Sequence, residues 1–352
     1  MITSFEDLKR FKPDIDEKIK QVIEKYGVHI TEYYANLIDW KNPSDPLYKV
    51  VVPNVAELND KNDELDDPIG DNSSEFDTMK TKMLIHRYPD RVLLLSTNKC
   101  ASRCRYCFRK CKVFGVEDIF DEKEFEKSLQ YIKNTKTISE VVLSGGDPLC
   151  MPREKFKQVF EFIVSECPHI KGIRIHSRAF VYFPDIITDE LANFLNTMNK
   201  KLPVVLMTHI VHEREITTEL CQALSKLSLL KVNQAPLLKG VNDTTEDLVN
   251  LSWGLVRAGV LPHYLHYLDK AKGISHFRVS IKDARALVSS LWGHLGGHLI
   301  PKLILDMPEG QGKILLNDTF IMSEMYSSST HILTVKSTYS DVVSEYEEQN
   351  ID

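Results

Sequence analysis

The chain has 352 residues, of which 43% are hydrophobic and 27% are charged, and its formal net charge is -6. This balance is ordinary for a globular protein and gives no general attraction to nucleic acid or to an anionic membrane, so we expect neither partner. No stretch reaches the roughly 18 continuous apolar residues of a membrane span, and the N-terminus lacks the apolar core of a secretory signal. We therefore expect a cytoplasmic protein.

Residues 1–80 are predicted to form a helical N-terminal extension that ends in an acidic linker. The stretch "FEDLKRFKPDIDEKIKQVIEKYG", from Phe5, carries apolar residues at helical spacing and ends at Gly27, a residue typical of helix C-caps. The stretch "NDKNDELDDPIGDNSSEFD", from Asn59, is acidic and rich in turn residues. This composition predicts a solvated connection.

Residues 81–316 repeat a pattern of short apolar runs separated by amphipathic stretches. The runs begin at Val92, Val141, Ile173, Val204, Val232, His263 and Leu303. Successive runs start roughly 30 to 50 residues apart, which is the spacing of βα units in a parallel sheet. We predict an α/β fold, a partial (βα)6-type barrel, in which the site lies where strands end. Residues 317–352 are predicted to be a short C-terminal extension with a frayed acidic tail.

The segment "CASRCRYCFRK" places Cys100, Cys104 and Cys107 just after the first barrel strand. The chain has seven cysteines, and in a reducing compartment such clustering favours metal ligation over disulfides. A cubane iron–sulfur cluster usually takes four thiolates, so three would leave one iron open to a ligand with an amine and a carboxylate. The alternative is a closed zinc site with Cys111 as fourth ligand, in a non-catalytic zinc-binding or electron-transfer module.

The segment "HRYPDRVLLLSTNKCASRCRYCFRK", followed by "LSGGDPL", resembles the lysine 2,3-aminomutase family of radical S-adenosylmethionine (SAM) enzymes. This family includes a branch that isomerises lysine for elongation factor P, and the resemblance covers residues 42–316. It implies an isomerase with a [4Fe–4S] cluster, SAM and pyridoxal 5′-phosphate (PLP) as cofactors. In that family, cleavage of SAM gives a radical that starts migration of the amino group of L-α-lysine to give β-lysine. The resemblance also implies an external electron donor, and it leaves a homo-oligomer open.

The resemblance implies a role for each residue that matches a family motif. The cluster ligands are Cys100, Cys104 and Cys107, and the catalytic, PLP-binding lysine is Lys313 in "MPEGQGKILL". The remaining cofactor-binding positions are Arg87, Tyr88 and Arg91 at the PLP phosphate, and Ser144, Gly145, Gly146, Asp147, His209 and Gln234 near SAM. The substrate-binding positions are Arg109 for the carboxylate, and Asp269 and Asp306 for the ε-ammonium.

Those three substrate positions predict a long dipolar substrate. A buried ammonium needs opposite charge and hydrogen bonds, and a guanidinium suits a carboxylate. Lysine meets this pattern, and the alternatives are another cationic amino acid such as arginine, or lysine isomerisation dedicated to elongation factor P. "AGVLPHYLHYLDK" resembles the elongation-factor branch, whereas Asp306 is typical of the free-lysine branch. No cysteine follows Cys221, so the C-terminal zinc site of larger members is not expected.

Overall fold

The structure is a computed structural model that describes residues 1–59, 64–71, 78–110, 121–307, 312–316, 321–326, 330–336 and 343–349. The strands are β1 (Met79–Thr81), β2 (Leu84–Tyr88), β3 (Arg91–Thr97), β4 (Glu140–Gly145), β5 (Gly172–Ser177), β6 (Val204–Thr208), β7 (Leu230–Pro236), β8 (Leu261–His266), β9 (Lys302–Met307), β10 (Gly312–Leu315), β11 (Ile321–Tyr326), β12 (Thr330–Lys336) and β13 (Val343–Gln349).

The α-helices are α1 (Phe5–Phe11), α2 (Ile19–Tyr26), α3 (Glu32–Ala35), α4 (Pro46–Val51), α5 (Glu122–Asn134), α6 (Arg153–Glu166), α7 (Ala179–Tyr182), α8 (Asp189–Lys201), α9 (Thr218–Ser225), α10 (Thr245–Arg257) and α11 (Ile281–Ser290). Short 3-10 helices lie at Val55–Leu58, Pro148–Cys150, Pro184–Ile186, Glu213–Glu215, Ser275–Phe277, Leu291–Gly293 and Gly297–Leu299.

Strands β1 to β10 form one ten-stranded sheet in chain order. Strands β3 to β9 are parallel, and helices cross between successive members. Every apolar run predicted as a strand lies in one of them. The expected α/β architecture, a partial (βα)6-type barrel, is therefore confirmed.

The crossover helices cover the outside of the barrel with one apolar face each. Helix α6 shows the pattern, since Phe156, Val159, Phe160 and Ile163 are buried at helical spacing. The strands bury apolar residues on both faces: in β4, Val141 and Leu143 belong to the hydrophobic core, whereas Val142 lines the barrel interior. Polar side chains from the strands and from the loops that follow them also line that interior.

The two edges of the sheet approach each other at the start of β10. Strand β10 pairs with β9 in antiparallel register, with Lys313 opposite Asp306. The amide N–H of Lys313 donates to the hydroxyl of Tyr88, on β2, at 3.0 Å. Gly312 has φ 90, and a Cβ there would lie 2.9 Å from the Tyr88 hydroxyl oxygen. Glycine is therefore needed where the edges meet.

The N-terminal extension contains four short α-helices, and the stretch that begins at Phe5 forms two of them. Pro13 separates α1 from α2, because the residue before a proline is disfavoured in helical conformation. Gly27 ends α2 with φ 63, as expected for a C-cap.

The prediction of a solvated connection is wrong for residue 64 and for residues 68–71, whereas residues 65 and 66 are exposed. Glu64, Ile69 and Asp71 are buried, and Leu65 forms a β-bridge with Ala271. A prediction from local composition misses these long-range contacts. The domain boundaries near residues 80 and 316 stay predictions.

The C-terminal extension contains a second sheet. Strands β11, β12 and β13 form it in antiparallel order. The acidic composition predicts a frayed tail. This prediction is wrong for residues 343–349, which form β13. Within the described ranges, the helices are all too short or too polar to cross a membrane.

Candidate active site

A cavity of about 770 Å³ lies inside the barrel. Its lining comes from the strands and from the loops that follow them, and every site residue predicted from the sequence belongs to that lining. The volume lies within the range of roughly 300–1,000 Å³ that is usual for small-molecule sites. The structure therefore brings all of the predicted positions together around one space.

The loop after β3 carries the three motif cysteines to the cavity wall. Cys100, Cys104 and Cys107 are half-buried residues that line the cavity, and Cys104 Sγ lies 3.0 Å from the Tyr182 hydroxyl. Burial raises the pKa of the Cys107 thiol to about 12, and the neighbouring Cys104 adds to the rise. Burial also raises the pKa of Cys100, with a further contribution from Asp147. Three thiolates here need the positive charge of bound metal.

The described residues contain no group of three or more His, Cys, Asp or Glu side chains placed to hold one metal ion. In a cubane cluster each protein thiolate binds a different iron. The three cysteines line the same cavity, so they supply the type of donor that such a cluster takes. Cys111, the fourth ligand of the zinc alternative, lies outside the described residues.

A buried ion cluster anchors the cysteine loop to the N-terminal extension. Glu57 is fully buried and accepts from Arg105 Nε at 2.9 Å and from Lys110 Nζ at 2.7 Å. Lys110 Nζ also donates to the carbonyl of Gly273 at 3.1 Å. Burial alone would raise the pKa of Glu57, but the Arg105 and Lys110 charges outweigh it and lower that pKa. The loop that carries the thiols is thus bound to Glu57 of the N-terminal extension and to the carbonyl of Gly273, which follows β8.

The "SGGDP" motif holds the neighbouring loops in place. Gly145 has φ 110, and a Cβ at Gly146 would lie 2.4 Å from the carbonyl oxygen of Lys99. Both glycines allow β4 to lie against the backbone that leads into Cys100. Asp147 accepts from the Ser177 hydroxyl at 2.8 Å and from two backbone amides after β5. Contact of this motif with SAM stays a prediction.

Lys313 lies among groups suited to a phosphorylated aromatic cofactor. Its ammonium forms an ion pair with Asp306, and its side chain is 36% exposed. The Tyr88 ring lies beside it, with the Arg91 guanidinium 3.8 Å from that ring's centroid. An accessible amine and nearby guanidinium groups fit the lysine and the phosphate site that PLP requires.

Asp306 is a buried carboxylate with two cationic or donor neighbours. Its Oδ1 binds Lys313, and its Oδ2 accepts from His266 Nδ1 at 3.2 Å. Burial alone would raise its pKa, but the His266 hydrogen bond and the Lys313 charge hold the pKa well below its ordinary value. Asp306 is therefore ionised and able to hold an ammonium.

Asp269 is the second predicted ammonium ligand, and its state differs. The residue is half-buried, but its Oδ1 is buried and has no hydrogen-bond partner among the residues that the structure describes. Burial raises the pKa of Asp269 to about 7, and the Asp306 carboxylate adds to the rise. A carboxyl with one buried oxygen that lacks a partner among the described residues, in a cavity, suits an incoming cation.

Arg109 lines the cavity but binds a residue that sequence reasoning missed. Its Nε and Nη2 donate to Asp71 Oδ2 at 3.0 and 2.7 Å, while Arg87 Nη2 donates to Asp71 Oδ1 at 3.1 Å. Asp71 lies in the acidic stretch that was predicted to be solvated. No local signal distinguishes it from the acidic residues around it.

A row of polar side chains crosses the cavity between β5 and β7. Gln234 Nε2 donates to His176 Nδ1 at 3.0 Å and to His209 Nε2 at 2.8 Å. Burial lowers the pKa of both histidines, that of His209 to about 3, so both rings are neutral acceptors. His176 and His266 were not predicted as site residues, although "IRIHS" and "HYLHYL" place each at a strand's carboxyl end. Their position at the carboxyl ends of barrel strands could have identified them as site residues.

Comparison with known proteins first defines the class. The model of the Radical SAM superfamily matches residues 94–251, which include the three motif cysteines, "SGGDP", His209 and Gln234.

Named relatives narrow this class. The chain is 35% identical over 353 residues to "L-lysine 2,3-aminomutase" of Acetoanaerobium sticklandii, a match that covers 99% of this chain and 82% of that protein. It is 40% identical over 316 residues to the enzyme of that name from Methanococcus maripaludis, covering 88% and 71%. It is 33% identical over 312 residues to "Glutamate 2,3-aminomutase" of Clostridioides difficile, covering 88% and 72%.

The chain belongs to the lysine 2,3-aminomutase family of radical SAM enzymes. It is an isomerase that acts on a small molecule, and the family implies a [4Fe–4S] cluster, SAM and PLP as cofactors. The predicted resemblance and the predicted enzyme class are confirmed. The alternative of a non-catalytic metal-binding module is wrong.

Proposed function

We propose that this chain converts L-α-lysine to β-lysine by 2,3-amino migration. One observation carries the choice of substrate: two aspartates, Asp269 and Asp306, line the cavity, and Asp306 already binds an ammonium group. Two carboxylates attract the ε-ammonium of lysine and would repel the side-chain carboxylate of glutamate. The relatives named for lysine support the same choice.

The cofactors supply the electron transfer, the radical and the activation of the carbon–nitrogen bond when they are bound. The chain's own residues bind and orient the reactants. In this proposal Cys100, Cys104 and Cys107 hold the cluster, and an external reductant supplies its electron. The roles of the phosphate-side and SAM-side residues are those that the family motifs predict.

Two groups orient the substrate in this proposal. Arg109 binds the carboxylate of lysine, and Asp269 and Asp306 bind its ε-ammonium. Fixing both ends of a flexible chain places the α- and β-carbons at one position, which is what a radical rearrangement needs.

A side-by-side turnover assay tests the proposal. The chain is reconstituted anaerobically with iron, sulfide, PLP, SAM and a chemical reductant, and then offered lysine, arginine or glutamate. We expect β-lysine from lysine, with little product from the other two. β-Arginine or β-glutamate as the main product would refute the substrate choice.

A variant of Lys313 distinguishes a PLP-dependent aminomutase from a radical enzyme that does not use PLP. Lys313→Ala should lose the visible absorbance of bound PLP and form no β-amino acid. Unchanged PLP absorbance would remove Lys313 from its proposed role.

A further inference from the structure

Asp71 bridges two guanidinium groups in the cavity wall. Its Oδ1 accepts from Arg87 Nη2 at 3.1 Å, and its Oδ2 accepts from Arg109 Nε at 3.0 Å and from Arg109 Nη2 at 2.7 Å. The side chains of Arg87, Asp71 and Arg109 are 11%, 5% and 8% exposed. All three residues line the cavity. One carboxylate thus accepts hydrogen bonds from two arginines that line the ligand cavity.

The contact fixes which part of Arg109 an incoming anion can reach. A guanidinium binds a carboxylate through either its Nε–Nη2 edge or its Nη1–Nη2 edge. Asp71 occupies the Nε–Nη2 edge of Arg109. A second carboxylate must therefore approach through Nη1, with Nη2 shared. The rotation of the guanidinium plane is set before a ligand arrives.

The charges of Arg87, Asp71 and Arg109 also support a role for Asp71 in orienting the two arginines. Two buried guanidinium groups repel each other, and a carboxylate between them removes that repulsion while leaving a net positive charge for an anionic ligand. An amide in its place would offer one acceptor oxygen, and its NH₂ would face the N–H groups of the other arginine. The geometry therefore requires both oxygens of Asp71.

We propose that Asp71 is a positioning residue that aims Arg87 at the phosphate of PLP and Arg109 at the carboxylate of the amino acid substrate. This inference rests on the function proposed above, because that function assigns the two anions. Asp71 acts through the arginines and touches neither ligand's reacting atoms. It couples the cofactor site to the substrate site through one side chain.

The variant Asp71→Asn tests the inference through two ratios of dissociation constants in reconstituted protein. The first compares PLP with pyridoxal, which lacks the phosphate. The second compares lysine with 1,5-diaminopentane, which lacks the carboxylate. We expect each preference for the anionic ligand to fall about tenfold, since a charge-assisted hydrogen bond is misdirected in each case. A residue with only a structural role would not move these ratios selectively.

Asp66→Asn is the matched control, because it removes the same charge five positions earlier. Asp66 is 71% exposed and pairs with Lys272 at 2.7 Å. Both ratios should stay as in the unmodified chain. Iron content and the unfolding midpoint report on the fold of each variant. Asp71→Glu keeps both acceptor oxygens and should retain most of each preference, so it decides the question if the Asn variant does not fold.

Three results would overturn the inference. The first is a folded Asp71→Asn protein with both ratios unchanged. The second is tighter binding of lysine by that variant, which would mean that Asp71 competes with the substrate's carboxylate. The third is a folded Asp71→Glu protein as poor as the Asn variant. If the unmodified chain binds no lysine, the proposed function fails, whereas the PLP and pyridoxal comparison still decides the role of Asp71.

Discussion

Lysine binding should depend on pH through Asp269. Burial raises the pKa of this carboxyl to about 7, and its Oδ1 lacks a partner among the described residues. A neutral carboxyl attracts an ammonium much less than a carboxylate does. We therefore predict that affinity for lysine rises as the pH increases from about 6 to about 8.

The size of the effect follows from the midpoint. With a pKa of about 7, Asp269 is ionised in roughly a tenth of the molecules at about pH 6 and in roughly nine-tenths at about pH 8. If the ionised form alone binds, the dissociation constant falls about tenfold, which is about 1.4 kcal/mol. Loss of the Lys313 ammonium on cofactor attachment would move the midpoint upward, because that charge lowers the pKa of Asp269.

The other perturbed acidic and histidine side chains discussed for the cavity are not expected to titrate between about pH 6 and about pH 8. The pKa of Asp306 is held well below its ordinary value by His266 and Lys313 against the effect of burial, so it stays ionised. Burial lowers the pKa of His176, His209 and His266, so these imidazoles stay neutral. A single titration step is therefore expected from these groups.

Anaerobic isothermal titration calorimetry with lysine, at a series of pH values, measures the effect in the reconstituted protein. Asp269→Asn is the matched variant, since it has the same shape without the titrating proton. It should bind weakly at every pH and show no slope. A change below about twofold across this range in the unmodified chain, or the same slope in the Asn variant, would refute the reasoning.

The variant Asp269→Asn gives a second prediction, and two further substitutions, one with a matched control, give predictions from the contacts described above. Asp269→Asn should raise the free energy of unfolding at about pH 8 by about 1–3 kcal/mol in denaturant titrations, because the folded-state pKa of about 7 lies above the unfolded value, so the stability that the protonated carboxyl contributes is lost as the pH rises to about 7. Glu57→Gln should lower that free energy by about 3–5 kcal/mol, since two buried cations lose their shared carboxylate; a loss below about 1 kcal/mol would argue against the buried ion cluster. Gly146→Ala should reduce the iron bound per chain, because its Cβ would lie 2.4 Å from the Lys99 carbonyl oxygen. Gly172→Ala, whose nearest contact would be 3.4 Å, should keep its iron.

The barrel strands could be predicted because their signal is local. Each run of apolar, often β-branched residues is long enough for a buried strand and is followed by a polar loop. The motif residues could be placed for a related reason. A short motif after a strand fixes both the type of side chain and its position at the mouth of the barrel.

The site contacts of Asp71 and His266, which the sequence did not predict, are long-range. Asp71 meets Arg109 across 38 positions of sequence, and His266 meets Asp306 across 40. Asp71 sits in a stretch whose composition is that of a solvated turn, so its burial depends on partners that local pattern does not reveal. His176 alternates with apolar neighbours along β5 and resembles an ordinary inward-facing strand residue.

The register of β9 with β10 also has a consequence for the order in which ligands enter. Asp306 and Lys313 lie opposite each other on these paired strands, so this carboxylate already has a cation before any ligand arrives. An amino acid with a side-chain ammonium would then compete with the chain's own lysine. If Lys313 binds PLP as proposed, Asp306 loses this partner and can bind the substrate's ammonium instead. On that proposal the cofactor enters first and the amino acid second.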